Sequence, residues 1–161
     1  MWLFYSLPLL LWLQHIREDR MEIALIVSLV VLAFLGLINS SYLAYKRKTE
    51  QPLVCPINHN CNVVIESKWS KVFYIKNDTL GVMYYAVLFI LGLFLFSNIY
   101  TNLIINGLLL INTLAFLFSV FLLYVQKYKL KSYCFYCLIS ALITSLVFLN
   151  TLILYDWTFL V

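Results

Sequence analysis

Four cysteines in two pairs carry the clearest chemistry in this chain. Cys55 and Cys61 bracket Pro56, Asn58, His59 and Asn60, a polar connector rich in turn formers. Cys134-Phe135-Tyr136-Cys137 forms a CxxC at the edge of a long apolar run. Two dithiols can hand two electrons along by thiol–disulfide exchange, each step needing a thiolate attacker and a reachable sulfur. A disulfide closing so short a loop as Cys55–Cys61 gains little of the loop-closure entropy that structural bridges exploit. Exchange therefore explains that pair better than stapling. Ser132 is placed to cap a helix beginning at Tyr133, which puts Cys134 and Cys137 on one face of its first turn. The positive helix end and Lys127, Lys129 and Lys131 would favour a thiolate there. A zinc site is the weaker reading: the Cys-x5-Cys gap exceeds the usual spacing and His59 lies between the two cysteines. We expect Cys55, Cys61, Cys134 and Cys137 to be catalytic and no metal to be bound.

The elements that must position these thiols are membrane helices. Of 161 residues, 64% are hydrophobic and 11% charged, and the mean hydropathy is +0.94, far from the roughly 45–50% apolar content of soluble domains. Crossing a bilayer takes about 20 apolar residues. Four runs approach this: Ile23 to Tyr45, Leu80 to Phe96, Leu103 to Val125 and Tyr133 to Tyr155. None has an interior charge, and a single span in lipid must satisfy its backbone internally, so helices are required. The expected fold is all-α, a polytopic membrane four-helix bundle with a long polar loop, Lys46 to Thr79, between helices 1 and 2. Lys and Arg cluster beside the apolar runs as membrane flanks, and no basic stripe points to nucleic acid.

Residues 1–20 stand apart from the redox domain expected over 21–161. Trp2 to Leu13 is apolar but short, Pro8 interrupts it, and His15, Arg17, Glu18, Asp19 and Arg20 close it off. It reads as an interfacial segment, with Trp2 and Trp12 in the headgroup belt, or as a start-site extension ahead of Met21. A cleaved signal peptide fits less well, because no basic region precedes the apolar run. Four spans put both cysteine pairs on one side of the membrane. Nine Lys/Arg (46, 47, 48, 68, 71, 76, 127, 129 and 131) lie on that side and two (Arg17 and Arg20) on the other. The positive-inside rule then turns the cysteines toward the cytoplasm, as in organisms whose intracellular proteins are disulfide-rich.

Over roughly Met21 to Tyr155 the chain resembles the vitamin K epoxide reductase family. The carriers are the Cys55/Cys61 pair, Ser67-Lys68-Trp69, Asn77-Asp78-Thr79-Leu80-Gly81 leading to Tyr85, and Cys134-Phe135-Tyr136-Cys137, in that order. The resemblance implies a four-helix bundle around a quinone (menaquinone, ubiquinone or a relative), capped by the polar loop. It implies that Cys137 is the thiolate beside the quinone and Cys134 its partner, that Cys61 exchanges with Cys134, and that Cys55 meets a thioredoxin-like redox protein. Asn77 would donate a hydrogen bond to a quinone carbonyl, while Ser67 and Tyr85 would steady the loop or line the pocket. No thioredoxin domain is fused to the chain, so the partner is expected to be a separate protein. The family's usual orientation places the thiols outside the cytosol, against the charge count. One departure matters. Vertebrate members carry a tyrosine four residues after the second CxxC cysteine, where this chain has Ala141, so epoxide protonation loses a hydroxyl donor and quinone reduction is favoured over it.

Other readings are a quinone or quinone-epoxide reductase whose main product is the hydroquinone, and a non-enzymatic bundle with structural disulfides. In the latter, Asn39, Asn106 and Asn112 would line a pathway; otherwise they are interhelical hydrogen-bond partners. The resting pairing stays open between two internally closed pairs and a Cys61–Cys134 bridge.

Overall fold

In a computed structural model, residues 3–49, 61–72, 74–97 and 101–160 are described. The expected apolar runs form four long helices: α1 (Leu3–Lys48), α3 (Asn77–Leu95), α4 (Thr101–Tyr124) and α5 (Phe135–Leu160). Within them Arg20–Lys48, Asn77–Leu95, Asn102–Leu130 and Phe135–Asp156 are long and apolar enough to cross a membrane. The protein is a multi-pass membrane protein with an all-α bundle. Its outward faces are apolar, with Leu103, Leu110, Leu114 and Leu142 all more than half exposed, as a surface solvated by lipid tails requires. Helix α1 runs unbroken from Leu3 through Pro8 into the first span.

Helix α1 packs along α3 and α5, and α5 also packs on α4, whereas α3 and α4 scarcely touch. Close approach of α1 and α3 depends on small residues, as is usual for helices packing in lipid. A Cβ at Gly36 would overlap the ring of Tyr85, and one at Gly92 would come within 2.8 Å of Val30. Polar side chains inside the spans pair across helices. Asn39 Nδ2 donates to the Tyr136 carbonyl (3.0 Å) and Ser140 Oγ (2.8 Å), and Asn150 donates to Ser28 Oγ. The Tyr84 hydroxyl donates to Asn112 Oδ1 (3.0 Å), while Asn112 Nδ2 donates to Thr151 Oγ1 (2.7 Å). Asn39 and Asn112 are thus interhelical partners. Asn106 bonds the Asn102 carbonyl of its own helix instead.

The described part of the polar loop is built rather than irregular. A short helix, α2 (Cys61–Glu66), leads through a 3-10 turn (Lys68–Ser70) into a two-stranded antiparallel hairpin, β1 (Lys71–Val72) and β2 (Ile75–Lys76), and then α3. These pieces cap one end of the bundle: Cys61 and Val64 pack on Leu43 and Cys134, and Trp69 meets Phe121 edge-on, centroids 6.2 Å apart.

Two boundaries differ from expectation around the CxxC. Helix α4 does not stop near Val125 but continues as one π-helical stretch, Val125–Leu130, and ends where Lys131 turns left-handed (φ 49°, ψ 27°). Helix α5 begins at Phe135, so Ser132 is not its cap.

Candidate functional site

Cys134 itself occupies the N-cap position of α5. Its carbonyl accepts from Leu138 N (3.0 Å), and its own N–H donates to Gln126 Oε1 (3.2 Å). The π-helical widening at the end of α4 is what turns Gln126 inward to meet that N–H: Val125 and Gln126 are buried while Lys127 and Lys129 are exposed. At an N-cap the side chain accepts from backbone N–H groups two and three residues on, here Tyr136 and Cys137. Those two bonds, together with a larger contribution from the Cys137 thiol donating to the Cys134 sulfur, hold Cys134 below the ordinary thiol range against the opposing effect of burial. The thiolate bias falls on Cys134, and it comes from the helix start and the second thiol. The three lysines at this end are exposed to solvent.

Cys134 and Cys137 are both free thiols. Cys61 is disulfide-bonded, and it is bonded to neither of them, so the Cys61–Cys134 bridge is not formed in this structure. Cys61 and Cys134 are almost fully buried, at 1% and 0% exposure, in one cluster to which Cys137 also belongs. Cys55 and His59 lie outside the described residues.

Two cavities share a wall beside Cys137. The larger, about 350 Å³, lies between α3 and α4, which are loosely packed beyond the Tyr84–Asn112 bond, with residues of α1 and α5 completing its wall. Leu80, Gly81, Leu114, Ala115, Phe118, Leu122, Leu123 and Ala141 make it mainly apolar, and Asn77, Tyr84, Tyr85, Ser140 and Thr144 add a few polar groups. The smaller, about 60 Å³, lies toward the capped end against Arg47, Ser67, Trp69 and Ser70. Cys137 lines both cavities, while Cys134 lines neither. The two sulfurs of the CxxC thus face different neighbours, Cys134 toward Cys61 and Cys137 toward the cavities.

The other residues singled out from the sequence are placed as follows. Asn77 opens α3 and lines both cavities; its Nδ2 donates to the Trp69 carbonyl (3.0 Å), and its Oδ1 is buried with no partner among the described residues. Ser67 lines only the small cavity, and its hydroxyl donates to the Val64 carbonyl (2.8 Å), closing the end of α2. Tyr85 is a wall of the large cavity, its hydroxyl donating to the Ser140 carbonyl and sharing a bond with Thr144 Oγ1, both 3.0 Å. It is a buried strut, not an interfacial aromatic. Ala141 lines the large cavity and supplies no hydroxyl at that position, while Ser140 and Thr144 of the same helix do.

Sequence reasoning gave no role to Asp78, Tyr84 or Gln126, all of which line the large cavity. Asp78 sits inside a motif already noted, but a charge next to a span reads as a flank. Gln126 was masked by the lysines that follow it.

The sequence model of the vitamin K epoxide reductase family matches residues 27–152. The match spans all four long helices and the described thiols, and the chain belongs to that family, whose members are quinone-linked thiol–disulfide oxidoreductases.

Proposed function

We propose that this member of the vitamin K epoxide reductase family oxidises the thiols of a thioredoxin-like partner and passes the electrons, through Cys55/Cys61 and then Cys134/Cys137, to a quinone in the large cavity. The observation that carries the reading is the split environment of the CxxC: Cys134 packed with Cys61, Cys137 on the wall of a mainly apolar cavity between α3 and α4.

The cavity suits a quinone head group. It has the size and mainly apolar lining of small-molecule sites, and the buried, unpartnered Asn77 Oδ1 marks a place where a ligand's hydroxyl could donate. The second hydrogen of the Asn77 amide is free for an acceptor, so one side chain can answer both a carbonyl and a hydroxyl. Ser67 and Tyr85 support this arrangement by holding the cap and the α3–α5 wall. Bound there, a quinone supplies a two-electron, two-proton acceptor.

Thiols of the partner open the Cys55–Cys61 disulfide. The Cys61 thiol then attacks Cys134 in the oxidised CxxC, Cys137 leaves, and Cys55 resolves the mixed disulfide. This returns the loop disulfide and leaves Cys134 and Cys137 as a dithiol. A disulfide-bonded Cys61 beside two free CxxC thiols fits the stage just before electrons leave Cys137. Ala141 argues against epoxide reduction as the main activity, since no hydroxyl stands at that position to protonate an epoxide oxygen. The charge count, nine basic residues of eleven at the thiol end, supports a cytoplasm-facing site.

Anaerobic quinone reduction by the purified protein, driven by dithiothreitol, tests the reading. Wild type is expected to turn over and Cys137→Ser to be inactive. Equal rates in folded wild type and Cys137→Ser, or none in wild type with any quinone tried, would overturn it.

A further inference from the structure

The smaller cavity poses a question that electron transfer alone does not answer. Its wall is mainly apolar, with Leu43, Val64, Leu122, Val125 and Leu130, but Arg47, Ser67, Ser70, Asn77, Asp78 and Gln126 set polar groups into it at the capped end of the bundle. Its volume, about 60 Å³, exceeds the ~15 Å³ that one water requires, and it offers the several polar partners a buried water needs. Asp78 belongs to both cavities. The residue is nine-tenths buried. Its Oδ1 is held by Arg47 Nη1 at 2.7 Å, which fixes the carboxylate's orientation, and its Oδ2 has no partner. Asn77 Oδ1, next along the chain, is unpartnered too. The buried Asp78 Oδ2, without a donor at a wall shared with a water-sized cavity, is an atom that water would satisfy.

We infer that Asp78 is a proton-relay residue, carrying protons from water in the small cavity to the large cavity that Cys137 lines. The inference rests on the quinone reading of that large cavity. The balance of the reaction calls for such a path. Oxidising the CxxC removes two electrons as the Cys134–Cys137 bond forms, and the acceptor takes two protons. With Cys134 as thiolate, Cys134–S⁻ + Cys137–SH + quinone + H⁺ gives the Cys134–Cys137 disulfide and quinol. Cys137 supplies one proton and the aqueous side the other. The remaining ionisable groups on these cavities are Arg47 of α1, Tyr84 and Tyr85 of α3 and Cys137 of α5; α4 contributes the uncharged Gln126. The hydroxyls of Tyr84 and Tyr85 already donate into α4 and α5. That leaves Asp78 as the carboxylate with a free oxygen on both sides of the wall.

The test uses the full-length reduced protein in detergent and two readouts. The first needs no quinone: the rate at which the S–H infrared band of the thiols exchanges in D2O. The second is dithiothreitol-driven quinone turnover. In Asp78→Asn, exchange is expected to slow about tenfold and kcat to fall about 100-fold, the low end of what a positioned proton-transfer group contributes, with the quinone KM little changed; Asp78→Glu restores both. Ser70→Leu, which fills the small cavity and leaves Asp78 in place, is expected to slow exchange in the same way and covers the case of a misfolded Asp78→Asn. Wild-type exchange rates in folded Asp78→Asn, or in Ser70→Leu, would overturn the relay. A wild type without quinone turnover would overturn the parent reading instead, because the exchange measurement stands apart from it.

Discussion

Cys134 is held below the ordinary thiol range by where the chain places its backbone. As N-cap of α5 it faces two backbone N–H donors and the Cys137 thiol, and the thiol bond is the largest of the influences lowering its proton affinity. A thiol whose folded pKa is depressed contributes stability that is present above the unfolded value and is lost as pH falls through the folded one. Cys137→Ala removes the largest donor and is expected to move the ultraviolet thiolate titration of Cys134 upward toward the ordinary thiol range; Cys137→Ser, which keeps a hydroxyl donor, moves it less. An unmoved titration in Cys137→Ala would contradict the assignment. The two cysteine pairs stood out from type and spacing, whereas Asn77 stood out only through the family resemblance. Asp78 and Gln126 were not, because their importance lies in which way they face at the end of a span. A charge or amide beside lysines looks like any membrane flank until the π-helical stretch and the ion pair to Arg47 turn it inward.

At the scale of elements, hydropathy located four spans and the described residues hold four, since lipid leaves an isolated apolar run no alternative to a helix. Their ends were less legible. The fourth helix starts at Phe135 rather than Tyr133 and the third runs on to Leu130, because a cap is decided by local hydrogen bonds that tertiary contacts can move. The short α2 and the β1–β2 hairpin were invisible to periodicity: six residues and two pairs of two are too few to show one. Two substitutions probe how these elements hold the site. Gly36→Val drives a side chain into the Tyr85 ring and is expected to cost about 1–3 kcal/mol, as overpacking does, measured as a lower midpoint in detergent unfolding. Gln126→Leu leaves the buried Cys134 N–H without its acceptor and is expected to cost about 1–3 kcal/mol in the same assay. No loss in Gln126→Leu would mean that the π-helical stretch does not support the α5 cap.

For the whole molecule, the redox chemistry is concentrated at one end of the bundle, where the cap, both described cysteine sites and nine of the eleven basic residues lie. On the proposed reading the two ends serve different traffic, a lipid-soluble acceptor in the large cavity between α3 and α4, and thiols and protons through the cap. Orientation is testable at Tyr74, fully exposed at the hairpin tip. A Tyr74→Cys reporter is expected to resist a membrane-impermeant maleimide in intact cells and to react after permeabilisation; labelling in intact cells would reverse the orientation. The relay itself is tested most directly by trapping its mixed disulfide. Cys55→Ser/Cys137→Ser, oxidised and digested without reduction, is expected to yield a Cys61–Cys134 linked peptide by mass spectrometry, because neither thiol that could resolve that bond remains. A Cys61–Cys137 peptide forming as readily in Cys55→Ser/Cys134→Ser, with no Cys61–Cys134 link in Cys55→Ser/Cys137→Ser, would contradict the division of labour between the two sulfurs on which the account rests.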